Sequence, residues 1–506
     1  LTTPPHLPRR RPSLLRLLPD FGLGLIAALG LAPFNVWGAS VIALAVLLWR
    51  LSRAQPHTVF WHALAAGFGW FGLAMSWIID PFLVEPEVYG WMAPFALFFM
   101  ALGGALFWAL PAWIATRGSL GWRAQAVAIA IALVVSDWLR GWIFTGLPWA
   151  QIGQIWIGTP IAQSAAWIGA TGLSFLTLLM AVLPTLLARP SEAIKASRFV
   201  PGTIASIMLI GAVWAAGMAR LAAPLPADHQ TIIRVVQPNA EQRLKWDPEW
   251  SGIFFRRLLD ISAEPGSRDL VIWPETAVNF LLEDASDLLP VMSQAADAPL
   301  IMGIQRREGS RYYNSLVTLN AGASLGPVYD KFHLVPFGEY IPWGDMMAKI
   351  GISAFAAQEG HGYSPGTGPR VIQLGQNIPD FQPLICYEAI FPQHLRAVDD
   401  RPGWLLQATN DAWFGKFSGP YQHLEQAQLR AIEAGLPLIR AANTGVSAVI
   451  DARGDIRVSL GMSQQGKIDA QLPAALPETF WIRWGNAPIL LLTAILGAAI
   501  AIRRRT

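Results

Sequence analysis

Seven apolar stretches crowd into the first 221 residues, at about 19–34, 37–50, 58–79, 90–115, 124–140, 160–188 and 199–221. A helix needs roughly 20 apolar residues to cross about 30 Å of hydrocarbon, and several of these stretches meet or approach that length. The first two are short enough to form a single hairpin instead. An eighth stretch, about 485–502, follows a long interval. With 53% hydrophobic and 14% charged residues, the chain is poor in charge for a wholly soluble fold. The expected architecture is a polytopic α-helical membrane domain of eight transmembrane helices, joined to a second body with its own core.

Basic residues orient the helices, because cytoplasmic loops hold the excess of positive charge. Arg9, Arg10, Arg11 and Arg16 precede the first stretch, Arg50 and Arg53 follow the second, and Arg117 and Arg123 flank the fourth loop. Arg189, Lys195 and Arg198 fill the sixth loop, and Arg503, Arg504 and Arg505 end the chain. The alternate loops are poor in such residues: "PFNVWG" has none, and "DPFLVEPEVYG" carries Asp80, Glu85 and Glu87. Eight spans with both termini cytoplasmic satisfy every loop. No A-x-A-like site closes the first stretch and more spans follow at once, so it reads as a span and not a leader. The net charge of +3 is spread between apolar runs, not gathered in an aromatic-laced patch, so no nucleic-acid partner is expected.

Residues 228–478 have a different texture. "TIIRVVQPN", "DLVIWPET", "APLIMGIQ", "NSLVTLN", "QPLICYE" and "WLLQATND" are short runs rich in Ile, Val and Leu that end in polar or turn residues, the pattern of buried strands. Helical patterns at 249–262 and 420–435 lie among them, which implies an α/β domain. "AAPLPADH" at 222–229 reads as a linker. The expected domains are 1–221, with seven transmembrane helices; 228–478, an extracytoplasmic catalytic domain; and 485–502, the eighth helix.

Three reactive residues fall where predicted strands give way to loops, the usual place for functional groups on such a scaffold. Glu275 ends "VIWPET", Lys331 lies in "VYDKFHLVPFGEY", and Cys386, the single cysteine, ends "PLIC". A carboxylate can take a thiol's proton, and a fixed ammonium can lower the thiol pKa and hold an oxyanion, so the set suits acyl transfer through a thioester. Taken singly, each has a plainer reading: a core thiol, a helix cap and a surface lysine. A lone cysteine excludes an intrachain disulfide, and the histidines show no metal-ligand spacing with one another or with Cys386. No metal or other cofactor is expected.

In this order, "WPET", "YYNS" (312–315), "YDKFHLVPFGEY", "CYE" and "NDAWFG" (410–415) resemble the nitrilase, or carbon–nitrogen hydrolase, superfamily. With the span count included, the chain most resembles the membrane-bound apolipoprotein N-acyltransferases. That resemblance implies an αββα sandwich with Cys386 as nucleophile, Glu275 as general base and Lys331 as oxyanion stabiliser. Glu339, Tyr387 and Glu388 match supporting positions; Trp246, Trp149, Trp413 and Asn314 are expected to bind substrate. It further implies a phospholipid donor, typically phosphatidylethanolamine, and a diacylglyceryl apolipoprotein acceptor. A monomer in a bacterial inner membrane, with its catalytic domain on the periplasmic side, follows. A membrane-tethered amidase hydrolysing a small amide is the alternative.

Four further stretches bear on the site. "IPWGDMMAKIGISAFAA" at 341–357, with Trp343, Met346, Met347, Ile350 and Phe355, suits lipid chains or an ordinary core helix equally. "GLPWAQIGQIW" at 146–156 is expected in an outward-facing loop, where a membrane-interface anchor is the plainer reading of Trp149. Asp137 and Arg140 in "SDWLRGW" are spaced to pair on a helix. "GHGYSPGTG" at 360–368 lacks the lysine of a phosphate loop and reads as a mobile surface loop.

Overall fold

The structure is a computed structural model that describes residues 12–118, 120–189, 195–341, 362–375 and 378–503. The expected lipid-chain stretch at 341–357 therefore lies, but for Ile341, outside the described residues.

The N-terminal body is helical: α1 (Leu14–Ala28), α2 (Trp37–Arg53), α3 (Pro56–Ala74), the one-turn α4 (Pro86–Tyr89), α5 (Ala93–Ala115), α6 (Trp122–Arg140), α7 (Ala165–Leu186) and α8 (Val200–Ala222). Four helical segments, those containing α5, α6, α7 and α8, are long and apolar enough to cross a membrane. A fifth joins if α3 and the 3-10 helix Ser76–Leu83, bent by 46° from it, count as one broken span. The first apolar stretch is helical earlier than its hydrophobicity implied: α1 ends at Ala28, and Leu29–Val36 turn back so that α1 and α2 form a hairpin. Both are shorter than a full span, at 15 and 17 residues.

Small residues let the helices approach closely. A Cβ on Gly24 would overlap the Ala66 carbonyl, and one on Gly69 would overlap the Phe21 carbonyl, so α1 and α3 meet backbone to backbone. Buried Asp20 takes Arg50 Nε at 2.7 Å and Nη2 at 3.0 Å, with His62 Nδ1 at 2.7 Å, tying α1 to α2 and α3. Phe95, Phe98 and Phe99 on α5, and Ile204, Ile207 and Met208 on α8, are left exposed. An outward apolar surface of this kind suits hydrocarbon, not water.

From residue 232 the chain becomes two face-to-face sheets. One has the order β11-β1-β2-β3-β4-β5, built from β1 (Ile232–Gln237), β2 (Leu270–Ile272), β3 (Leu300–Glu308), β4 (Arg311–Leu319), β5 (Leu325–Asp330) and β11 (Gly466–Gln471). The other has the order β10-β9-β8-β7-β6, from β6 (Phe381–Ile385), β7 (Trp404–Thr409), β8 (Leu438–Ala442), β9 (Ser447–Ile450) and β10 (Ile456–Leu460). Ile233, Ile272 and Ile301 of the first sheet share a core with Phe381, Leu406 and Ile439 of the second. Helices α9 (Pro248–Ala263) and α10 (Leu289–Ala296) cover the outer face of the first sheet, and α11 (Gly419–Ala434) that of the second. This is the αββα sandwich. After the short α12 (Phe480–Trp484), the apolar α13 (Ala487–Arg503) closes the chain.

The two bodies are fastened at one end of the helical bundle. Tyr387 Oη donates to the Gly146 carbonyl at 3.0 Å, and Gln393 Nε2 to that of Gly141 at 3.1 Å. Trp149 Nε1 donates to Gln422 Oε1 at 2.6 Å, and the Ala170 amide to Glu433 Oε1 at 2.7 Å beside the Gly169 kink of α7. The Asp137–Arg140 pair forms at 3.2 Å and acts here: Arg140 also donates to the carbonyls of Leu147, Trp149 and Ala150, fixing the loop that carries Gly146 and Trp149.

Candidate active site

The reactive residues stand at the carboxyl ends of three strands, β2 and β6 paired in parallel and β5 at an antiparallel edge. Glu275 follows β2, Lys331 follows β5 and Cys386 follows β6, and all three are buried. Gly303 on β3 lies directly behind the glutamate: a Cβ there would overlap the Pro274 carbonyl and the Thr276 amide.

Lys331 Nζ donates to Glu339 Oε1 at 2.8 Å and to Glu275 Oε1 at 3.4 Å. Asn314 Nδ2 bridges the same two oxygens, at 2.7 Å to Glu275 and 3.1 Å to Glu339. The outer oxygens are held by backbone: Asn410 N–H on Glu275 Oε2 at 2.8 Å, and Val335 N–H on Glu339 Oε2 at 2.9 Å. Burial alone would lower the Lys331 ammonium, but Glu339, Glu275 and the Cys386 sulfur outweigh it and hold the lysine firmly protonated. An ammonium has three protons, and among the described residues two are engaged here.

Cys386 opens a 3-10 turn with φ of +49°, a left-handed conformation that few side chains adopt and that lifts it out of the strand direction. Burial pushes its thiol well up, Glu275 adds to the shift, and Lys331 only partly opposes it. The ammonium does pull the thiol down, as its charge requires, but desolvation wins. A thiol so placed needs a base at the moment of attack, and the Glu275 charge acts directly on it.

Glu388 braces the site. Its Oε1 accepts the Phe332 and His333 amides at 2.9 and 3.2 Å, and its Oε2 accepts the Ile385 amide at 2.7 Å and Tyr329 Oη at 3.0 Å. One fully buried carboxyl therefore ties the cysteine turn to the lysine turn. Burial pushes it up to about 7, against the pull of the Ile385 amide, Lys331 and the other two amides. Asn314, expected at a substrate position, donates to the two carboxylates. Trp149 is 1% exposed, stacks on His423 at 5.6 Å and packs on Trp77 at 4.6 Å, which excludes a membrane-interface role. Trp246 and Trp413 are half-buried. Residues 362–368 are no free surface loop, because the Tyr363 amide donates to the Glu339 carbonyl and the Gly366 amide to that of Lys331, at 2.8 and 2.9 Å.

Two features had no signal in the sequence. Behind Cys386, His423 Nδ1 donates to Asp411 Oδ1 at 2.9 Å and its Nε2 accepts from Gln407 Nε2 at 2.8 Å, while Gln407 Nε2 also reaches the Cys386 carbonyl at 3.3 Å. Burial and Arg440 hold this imidazole low, hence neutral, which fits the tautomer. The second is a cavity of about 380 Å³ lined by Thr145 from the helical body and by Phe332, His333, Leu334, Tyr340, Tyr363 and Pro365.

His333 at this cavity and its neighbour His394, joined Nδ1 to Nε2 at 3.1 Å, predict an acid limit. Burial lowers them from 6.5 to about 4 and about 3, respectively. Below pH 6.5 the unfolded chain therefore binds more protons than the folded one. Stability is full above about pH 6.5 and is lost as pH falls towards 4. Denaturation midpoints across this range should show that slope, and His394→Asn should flatten it; an unchanged slope would place the effect elsewhere.

Two family profiles match the chain: the apolipoprotein N-acyltransferase N-terminal domain over residues 23–183 and the carbon–nitrogen hydrolase domain over 233–479. The apolipoprotein N-acyltransferase of Caulobacter vibrioides is 38% identical over 505 residues, covering 94% of this chain and 93% of that one. Those of Rhodopseudomonas palustris and Bradyrhizobium diazoefficiens are 35% and 36% identical, covering 95% and 97% of this chain and 94% and 95% of theirs. The chain belongs to the apolipoprotein N-acyltransferase family. In this N-acyltransferase the two profiles meet where Tyr387, next to the cysteine, bonds to Gly146 of the helical body.

Proposed function

We propose that the protein moves an acyl chain from a phospholipid, through a thioester on Cys386, to the α-amino group of a diacylglyceryl-cysteine at the N-terminus of an apolipoprotein. The observation that carries this is the placement of the buried Glu275–Lys331–Cys386 set against the loop of an apolar helical bundle. A soluble amidase needs no such bundle, whereas both substrates here keep their chains in the bilayer.

In the first step Glu275 takes the thiol proton as sulfur attacks the donor's ester carbonyl, and Lys331 meets the oxyanion. Collapse breaks the ester C–O bond, and Glu275 returns the proton to the departing lysophospholipid oxygen. In the second step the neutral amine, with a reference pKa near 8, attacks the thioester carbonyl. Glu275 takes its proton, the C–S bond breaks and the thiol is restored. A ping-pong order follows. Phosphatidylethanolamine is the proposed donor, and the protein acts as a monomer in a bacterial inner membrane. Helices α1–α3, α5–α8 and α13 form eight spans with both termini cytoplasmic and the catalytic domain periplasmic. In that arrangement the short α1 and α2 cross as a packed pair and local thinning accommodates them.

Incubation of the full chain in detergent with phosphatidylethanolamine and a diacylglyceryl-cysteine peptide tests the reading. The expected product is the peptide heavier by one amide-linked acyl group. Release of free fatty acid alone, with the peptide unchanged, would make the protein a hydrolase.

A further inference from the structure

The outer face of the second sheet carries a polar group where apolar packing prevails. Leu405 and Leu438 pack there with Leu424 and Ala427 of α11. Gln407 and Arg440 stand two residues further along β7 and β8, paired across the strands, and so share that face. Both are fully buried, as is His423 of α11, and Asp411 is almost so. Polar groups this far from water are costly unless each is satisfied, and a buried ion pair adds little stability over apolar packing of the same volume. What the group holds gives a better reason for it.

The four side chains close a ring. Arg440 donates through Nη1 to Gln407 Oε1 and through Nη2 to Asp411 Oδ2. Asp411 Oδ1 accepts His423 Nδ1 at 2.9 Å, and His423 Nε2 accepts Gln407 Nε2 at 2.8 Å. An arginine can only donate, so Gln407 must turn its oxygen to Arg440 and its nitrogen the other way. That nitrogen has two protons. One goes to His423, and the other leaves the ring for the Cys386 carbonyl at 3.3 Å. His423 Nε2 is 3.1 Å from the same carbonyl, but with its proton on Nδ1 it has none to give there.

Cys386 is where such a hold is needed. Its φ of +49° is a conformation that a residue with a side chain keeps only when its surroundings fix it. Glu388 Oε2 fixes the preceding amide, that of Ile385, at 2.7 Å. Gln407 fixes the carbonyl of Cys386 itself, so the turn is held on both sides of the sulfur-bearing residue.

We propose that Gln407 is a positioning residue for acyl transfer: by holding the Cys386 carbonyl it keeps the cysteine in the turn from which its sulfur attacks, and Arg440, Asp411 and His423 aim Gln407. This rests on Cys386 carrying the acyl group, and the test separates the two claims.

Because the chain has a single cysteine, carbonyl-13C cysteine combined with 15N tyrosine marks one peptide bond, Cys386–Tyr387. That carbonyl signal, and the single-turnover rate of thioester formation from phosphatidylethanolamine, are measured on the full chain in detergent for wild type, Gln407→Glu and Gln407→Met. An ionised glutamate keeps the shape and the acceptor for Arg440 but has no proton to give, and methionine keeps the volume alone. Both variants should form the thioester roughly 10- to 100-fold more slowly, with the donor concentration at half-maximal rate unchanged. The carbonyl signal should move to lower frequency, as it does when a carbonyl loses a hydrogen bond. A Glu variant as fast as wild type, or slow variants whose carbonyl signal has not moved, would reduce Gln407 to packing and overturn the inference. If neither variant folds, His423→Asn decides, since it keeps a donor for Asp411 but removes the lone pair that orients Gln407. A moved signal with slower thioester formation then supports the inference, and an unmoved signal overturns it. No thioester in the wild type would remove the role of Cys386 and the inference together, whereas a wild-type thioester with unaffected variants sinks the inference alone.

Discussion

Cys386→Ala is expected to abolish both the acyl-enzyme and N-acylation while leaving the fold intact. Alanine fits the 6% exposed site without new volume, and it adopts the left-handed φ of +49° no less readily than cysteine. What disappears is the atom that forms the covalent bond. Intact-protein mass spectrometry after incubation with phosphatidylethanolamine alone should show one added acyl group in the wild type, removable by hydroxylamine, and none in the variant. An adduct that survives in Cys386→Ala would move the chemistry to another residue. Because burial keeps the thiol protonated at rest, wild-type Cys386 should also react slowly with iodoacetamide at neutral pH.

Lys331→Met is expected to cost more than any other change around the carboxylates. It removes the ammonium that Glu275 and Glu339 share at 3.4 and 2.8 Å and leaves two buried negative charges facing one another. Removing one partner of a buried pair costs about 3–5 kcal/mol, and losing the oxyanion donor costs about 10²–10³ in rate. Thioester formation should fall by at least about 100-fold, with a lower unfolding temperature. Adding Glu339→Gln should recover part of the stability, because one of the two charges is then gone, but none of the rate. Single-turnover kinetics and thermal unfolding of both variants decide it. A single variant within a few-fold of wild type would show that Lys331 meets no oxyanion.

Much of the site was legible because its residues stand at strand ends. "VIWPET" and "PLICYE" each place a reactive side chain just after a buried apolar run, and β2 and β6 end as that pattern implies, whereas Lys331 follows the largely exposed edge strand β5. Strands β8 to β11 were not read, since "PLIRAANTG" and "GKIDAQ" mix charges into the sheet: Arg440, buried in β8, is balanced by Asp411, and Asp469 in β11 by Arg234. The net direction of the Cys386 shift was not legible for a related reason. A sequence names neighbours in charge but not the depth at which they meet, and depth decides between Lys331 and desolvation. The spans were read from hydrophobicity alone, which marks where a chain is apolar but not where its helix begins, as α1 demonstrates.

The bond from Tyr387 to Gly146 bears on how such a protein can be handled. The residue next to the nucleophile takes its anchor from the helical half, and that anchor is in turn fixed by Arg140 through the carbonyls of Leu147, Trp149 and Ala150. A soluble fragment beginning at the first strand would keep every triad residue and lose the surface against which the cysteine turn is set. Trimming to such a fragment is therefore a poor route to a working catalyst, and a detergent that loosens the helices reaches the sulfur without ever touching it.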